Sequence, residues 1–201
     1  MAGARLLSSR SVTASVPPPP DPAARRSLRA RLRGGPIARA IARVDVRLYR
    51  LLREDAQSAS LEAPIKRFSS LGEHAAIWLA LGAGGALVDA RRRSGWLRAM
   101  RAVVFAYVLN TLLKLVVRRH RPRLEQLPAL ISTPTALSFP SAHASSSFAA
   151  ARAYSALMPG TPLYVVAIAM ALSRVYLGVH YPSDIAAGAL LGTVVGSGGR
   201  R

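Results

Sequence analysis

Residues 169–184 read Ala-Met-Ala-Leu-Ser-Arg-Val-Tyr-Leu-Gly-Val-His-Tyr-Pro-Ser-Asp, and the chain beyond them returns to Ile, Ala, Leu, Val and Gly. Two apolar segments are joined here by a short polar break, and the first of them carries a cation, Arg174. A charge inside an apolar segment is expensive in lipid and persists where it is paired or functional. His180 and Asp184 are four apart, the spacing of one helical turn, but Pro182 stands between them and implies a turn instead of a continuous helix. The stretch therefore reads as helix, tight turn, helix, with an imidazole and a carboxylate at the turn.

The same grammar extends outward. Apolar segments run over about 71–89, 97–117, 142–158, 162–179 and 184–198. They are separated by Arg91-Arg92-Arg93, a polar stretch around 118–140, Pro159-Gly160, and His180-Tyr181-Pro182-Ser183. Several fall short of the roughly 20 residues that cross about 30 Å of hydrocarbon, which a bundle with a wet pocket at its ends tolerates. Upstream, Ile37, Ile41, Val44, Leu48 and Leu51 or Leu52 recur at helical spacing, with Arg39, Arg43, Arg47 and Arg50 on the other faces. An Arg-rich helix with one apolar stripe lies in a membrane surface. The expected fold is all-α: an integral membrane helical bundle of about five spans plus an N-terminal amphipathic surface helix. Gly188, Gly192 and Gly196 form a small-residue stripe that lets helices approach closely.

Composition agrees. An apolar fraction of 51% and a net charge of +19 conflict for a soluble globule. They are compatible when a basic, Pro-rich tail over 1–35, expected to be disordered, precedes a membrane-embedded domain over 36–201. The chain has no Cys, which excludes disulfides and thiolate metal sites. The motif region offers one acid, Asp184, too few for a two-metal site; no metal and no cofactor is expected. The basic balance fits nucleic acid or anionic lipid. The apolar segments favour membrane lipid as the partner, with no nucleic acid.

Three motifs then converge. They are Lys114-x6-Arg121-Pro122, Pro140-Ser141-Ala142-His143 and Ser173-Arg174-x5-His180-x3-Asp184. Lys114 and Arg121 lie at the exit of the second segment and Ser141 and His143 at the entry of the third. Arg174 and His180 lie at the exit of the fourth and Asp184 at the entry of the fifth. With alternating crossings all four ends face one side. One phosphate held by Lys114, Arg121 and Arg174 offsets three costly cations. The free N–H groups of residues 141–143 at a helix start favour an anion as well. A carboxylate near His180 fixes its tautomer and stabilises its cation, which leaves His143 as the general acid. Glu73, His74, His120, Tyr176 and Tyr181 receive no role from the sequence.

The three motifs resemble those of the type 2 phosphatidic acid phosphatase superfamily, over roughly residues 37–198. The family pattern has Gly where this chain has Ala142, which still presents its backbone N–H. The resemblance implies a metal-independent phosphoric monoester hydrolase. His180 is then the nucleophile that forms a phosphohistidine, Asp184 orients it, and His143 protonates the leaving oxygen and later activates water. Lys114, Arg121, Ser141, Ala142 and Arg174 bind phosphate. The stretches Phe68–His74, Ser138–His143 and Leu172–Asp184 are similar to a narrower group, actinobacterial phosphatases acting on decaprenylphosphoryl-5-phosphoribose in cell-wall arabinan synthesis. A polyprenyl diphosphate or phosphatidylglycerol-phosphate phosphatase is the alternative within the class. A non-catalytic basic membrane protein that binds anionic lipid is the alternative outside it. The expected place is the plasma membrane, multi-pass, with the site at the cytoplasmic face.

Overall fold

A computed structural model describes residues 35–54 and 58–199; the tail expected over 1–35 lies, apart from Gly35, outside the described residues. Every regular element among the described residues is helical. The α-helices are α1 Pro36–Glu54, α2 Ala59–Ser70, α3 Ala76–Val88, α4 Arg93–Val117, α5 Ala142–Tyr154, α6 Gly160–Tyr176 and α7 Pro182–Gly198. Packing divides the chain after Ala40, inside α1. Gly35–Ala40 supplies the first helical turns, and the contacts below concern residues from Ile41 onward.

α5 is the axis of the bundle. It packs against α4, α6 and α7 and is buried along nearly its whole length, from His143 to Tyr154. Its residues are mostly Ala and Ser, so neighbouring backbones come close. The approach is tightest at α7, where the glycine stripe lies on α5. A Cβ at Gly188 would meet the Ser141 carbonyl, one at Gly192 the Ser145 carbonyl, and one at Gly196 the Ala149 carbonyl. The buried face is mostly Ala, Gly and Ser around a few large anchors such as Trp78, Trp96 and Tyr154, and many large apolar residues face outward: Val104, Phe105, Val108, Leu112, Leu115 and Val116 on α4, Val165, Ile168 and Leu172 on α6, Leu190 and Val194 on α7. Burying the small and exposing the large is the reverse of a water-soluble bundle and suits a hydrocarbon solvent.

By length and composition one helical stretch, Ala90–Val117, can cross a membrane alone. A second candidate is the pair α2 and α3, bent by 49° at its break, and α6 is apolar but shorter. Two expected boundaries move. The segment expected over 142–158 stops being helical after Tyr154. The segment expected to start at 71 is preceded by an additional helix, α2, that the sequence reading did not contain. The break between α2 and α3 carries left-handed backbone at His74 (φ 51°) and Ala75 (φ 61°).

α1 turns its polar side to the protein. Asp45, Tyr49 and Arg53 are buried, whereas Ile41, Val44, Leu48, Leu51 and Leu52 are exposed. The apolar stripe is thus the outer face, as a surface helix requires.

Candidate active site

Helix ends and their turns position each group. α4 stops where Arg118 takes a left-handed C-cap (φ 52°), and its N–H bonds back to the Lys114 carbonyl. That cap turns the chain so that Arg121 returns over the bundle. The guanidinium of Arg121 is anchored on backbone: Nε donates to the Thr135 carbonyl (2.9 Å) and Nη1 to the Val179 carbonyl (2.7 Å). Lys114 Nζ, one turn inside α4, donates to the Pro140 carbonyl at 3.0 Å. This cation therefore pins the start of α5.

The second motif opens α5. Ser141 is its N-cap, and its hydroxyl accepts from Ala144 N–H at 3.5 Å. Ser141 is fully buried and stands behind the cavity wall, which is formed by Ala142 and His143. As first-turn residues these two have N–H groups without acceptors inside the helix. His143 Nε2 lies 3.1 Å from the Ser69 carbonyl. A carbonyl only accepts, so Nε2 carries the proton and Nδ1 is the atom left to exchange one.

The third motif spans α6 and α7. Arg174 Nη1 donates to Ser69 Oγ at 2.7 Å, while its Nε is buried with no partner. Gly178, at φ 79°, makes the turn after α6, and its carbonyl accepts from Tyr49 Oη at 3.3 Å. Pro182 is the first residue of α7 and Asp184 lies in its first turn, with Oδ2 accepting from Tyr181 N–H at 2.8 Å. The expected turn between His180 and Asp184 is therefore present. His180 is 2% exposed. Its Nε2 lies 3.2 Å from Arg121 Nη1, and its Nδ1 lies 3.5 Å from Asp184 Oδ2. A guanidinium only donates, so Nε2 presents a lone pair and Nδ1 carries the proton toward the carboxylate. Burial, followed by the charges of Arg121, Lys114 and Arg174, holds His180 well below the ordinary histidine value. Burial also pulls Arg121 down to about 10, which leaves it charged at neutral pH.

These groups meet at one cavity of about 210 Å³, lined by Lys114, Arg121, Ala142, His143, Arg174 and His180 among others. Asp184, like Ser141, lies behind the wall. An unpaired buried guanidinium N–H, a neighbouring cation pair and two free backbone N–H groups form a receptor for an oxyanion. Among the described residues no cluster of metal-ligating side chains occurs.

The sequence reading missed the residues that brace this receptor. Arg119 Nη1 donates to Asp184 Oδ1 (2.9 Å) and to Ser183 Oγ (2.7 Å), and its Nη2 donates to Asp45 Oδ2 (2.7 Å). Asp45 also accepts from Ser183 N–H (2.8 Å) and Ser183 Oγ (2.6 Å). One guanidinium thus joins α1 to the carboxylate beside His180. Ser69 joins α2 to both His143 and Arg174. Asp45 did leave a signal, as the lone acid among the arginines of residues 36–53. Arg119 left none, being one of four consecutive basic residues at 118–121.

The PAP2 superfamily matches residues 95–199. This chain belongs to that superfamily and is a lipid phosphatase. It is 44% identical over 147 residues to the decaprenylphosphoryl-5-phosphoribose phosphatase of Mycobacterium tuberculosis, covering 70% of this chain and 82% of that one. It is 43% identical over 124 residues to the protein of the same name from Mycolicibacterium smegmatis, covering 61% and 68%. In structure it is similar to LpxE of Aquifex aeolicus, with a TM-score of 0.67, 27% identity, and coverage of 76% and 92%. It also shares its fold with the transmembrane PAP2 type phosphatidylglycerolphosphate phosphatase of Bacillus subtilis, with a TM-score of 0.62, 22% identity, and coverage of 78% and 82%.

Proposed function

We propose that this chain removes the 5-phosphate from decaprenylphosphoryl-5-phosphoribose through a phosphohistidine on His180. The observation that carries the chemistry is the pair of contacts on one imidazole: Nε2 accepting from Arg121, a cation that lines the cavity, and Nδ1 directed toward Asp184. The substrate rests on the mycobacterial relatives.

The substrate phosphate sits among Lys114, Arg121, Arg174 and the N–H groups of Ala142 and His143. These groups are fixed by other contacts before it arrives, so little reorganisation opposes the stabilisation of its spreading negative charge. Ser141 holds the helix start that presents those N–H groups. The lone pair of His180 Nε2 forms a bond to phosphorus as the bond from phosphorus to the ribose oxygen breaks. His143 enters the step as the imidazolium, keeps Nε2–H on the Ser69 carbonyl, and gives the Nδ1 proton to that leaving oxygen. His180 becomes cationic, and Asp184 Oδ2 stabilises the charge as its contact with Nδ1 tightens. His143, now neutral, takes a proton from water as the water oxygen attacks phosphorus. The P–N bond breaks, inorganic phosphate leaves, and both imidazoles return to their starting states.

The proposed setting is the plasma membrane, crossed five times: by the α2–α3 pair, α4, α5, α6 and α7, with α1 along the surface. The outward large apolar residues support this arrangement. So does the meeting of the α4 and α6 ends with the α5 and α7 starts at one cavity. Arg43, Arg47 and Arg50 of α1 belong to the helix that braces this side, which favours the cytoplasmic face. Glu125→Cys gives a single thiol in a chain without Cys. Its labelling by an impermeant maleimide in intact cells contradicts that orientation; labelling only after permeabilisation supports it.

Phosphate release by the purified chain in detergent, without divalent metal, tests the reaction. Decaprenylphosphoryl-5-phosphoribose and a polyprenyl diphosphate are offered in parallel, with His180→Ala as control. His180-dependent release that favours the phosphoribose lipid is expected. A preference for the diphosphate reassigns the substrate and keeps the mechanism. Release that persists in His180→Ala refutes the mechanism.

A further inference from the structure

The cavity contains one carboxylate that the phosphate chemistry does not use. Glu73 lines it together with Lys114, Arg121, Arg174 and His180. Among the described residues no salt bridge reaches Glu73. Were phosphate the whole of the ligand, this group would only repel it.

The chain nonetheless fixes the backbone next to Glu73 at a conformational cost. His74 and Ala75 are both left-handed and neither is Gly, a conformation that persists where the surroundings over-determine it. Those surroundings are the apolar core around Ala75 and, at Gly72, the side chains of His143 and Met170. Ala75 is 1% exposed. Gly72 abuts the site so closely that a Cβ there would lie 2.8 Å from His143 Cδ2 and 2.6 Å from Met170 Sδ. Ser69, just upstream, bonds His143 and Arg174. The backbone that carries Glu73 is thus packed against the site, and its exposed side chain lines the cavity. Tyr107 and Thr111 of α4 add hydroxyls to the same cavity, and the His74 ring lies 6.1 Å from that of Tyr107.

A carboxylate fixed beside a phosphate site recognises O–H or N–H donors carried by the group that bears the phosphate. Two adjacent hydroxyls match its two oxygens through charge-assisted bonds. A second phosphate attached directly to the first meets like charge at the same place, which is discrimination by repulsion.

We propose that Glu73, with His74 beside it, forms a polyol subsite. It accepts hydrogen bonds from the hydroxyls of the sugar that bears the scissile phosphate, and it disfavours a diphosphate. This rests on the substrate being a phosphosugar lipid, as proposed above.

The test compares kcat/KM of the full chain in detergent for decaprenylphosphoryl-5-phosphoribose and its 2,3-dideoxy counterpart, in wild type, Glu73→Gln and Glu73→Ala. A ratio of the two is independent of the fraction of protein that folds. The wild type is expected to prefer the hydroxylated lipid by roughly tenfold or more. In both variants the ratio collapses toward one, chiefly through KM, and turnover of a polyprenyl diphosphate rises relative to the sugar lipid. A ratio that survives in both variants, or a wild type indifferent to the hydroxyls, overturns the subsite and leaves the substrate assignment standing. A wild type that hydrolyses the diphosphate and neither sugar lipid overturns the substrate assignment, and the subsite with it.

Discussion

The cavity has two kinds of wall. One comes from α4 to α7 and carries the cations and imidazoles, each at a helix end within a recognisable motif. The other is the α2–α3 turn, with Asp45 of α1 and Ser69 of α2 bracing the site from behind, and these residues belong to none of the three motifs. Lys114, Arg121 and Arg174 act through charge, which several residue types and positions can supply. Asp45, Ser69 and Arg119 act through placement, which depends on distances that the sequence does not contain. Chemistry at this site is therefore written in residue types, and its precision in contacts between distant segments.

Removing the chemistry has the largest effect. His180→Ala is expected to lower phosphate release by at least about 10⁴-fold, as loss of a covalent nucleophile does elsewhere, with the fold unchanged by circular dichroism. Phosphate release from the variant near the wild-type rate breaks the division between the walls, because the nucleophile then lies elsewhere.

Weakening the placement comes next. Arg119→Lys keeps the charge but loses the planar fork that spans Asp45 and Asp184, and Asp45→Asn loosens the same bridge from the α1 side. Each is expected to lower kcat roughly 10- to 100-fold with little change in KM, because the bound phosphate keeps its own ligands while His180 loses its orientation. A pure KM effect, or none, removes Arg119 from the positioning role. If Arg119→Lys unfolds the protein, Asp45→Asn still decides the matter, since it leaves the Arg119–Asp184 pair intact.

What could be read from sequence follows the same line. The turn at Pro182 was legible because Pro cannot sit within a continuous helix at that register, and it put His180 outside α7 and Asp184 in its first turn. The glycine stripe was legible because a four-residue spacing puts Gly188, Gly192 and Gly196 on one helix face. α2 was not legible, since Pro64 and the mixture of Glu62, Lys66 and Arg67 with few apolar residues give no clear period. The motif marks Ser141 as phosphate-binding; that its hydroxyl caps α5 and its N–H bonds the Asp184 carbonyl is local geometry that the motif does not spell out. The Arg119 bridge depends on α1 folding back to Ser183, a contact across 138 residues that no local pattern encodes.

Packing of the chemical wall can be probed without touching its charges. At Gly192 an added Cβ meets the Ser145 carbonyl and the Ala149 N–H, backbone atoms of α5 that cannot rotate away. Gly192→Ala is expected to destabilise the bundle by about 1–3 kcal/mol, read as an earlier thermal midpoint in detergent. Gly84 has open space around it, so Gly84→Ala is the matched control and should shift the midpoint little or upward. Equal shifts in the two would mean that the α5–α7 seam is not the tight interface its backbone distances describe.

The smallest effect concerns pH, and its direction separates the walls most finely. His180 is held well below the ordinary histidine value, first by burial and then by Arg121, Lys114 and Arg174. It therefore stays unprotonated, and nucleophilic, as pH falls through about 6.5. The acid limb of kcat/KM that belongs to His180 must lie below that value. Removing a neighbouring cation with Lys114→Met eases protonation, so the limb moves up, while burial, the first cause, remains. Asp45→Asn touches the other wall and leaves those three cations in place, so it should lower the plateau without moving the limb. A limb that moves equally in both variants would mean that α1 sets the charge state of His180 as well as its position, and the two walls would then be one electrostatic unit.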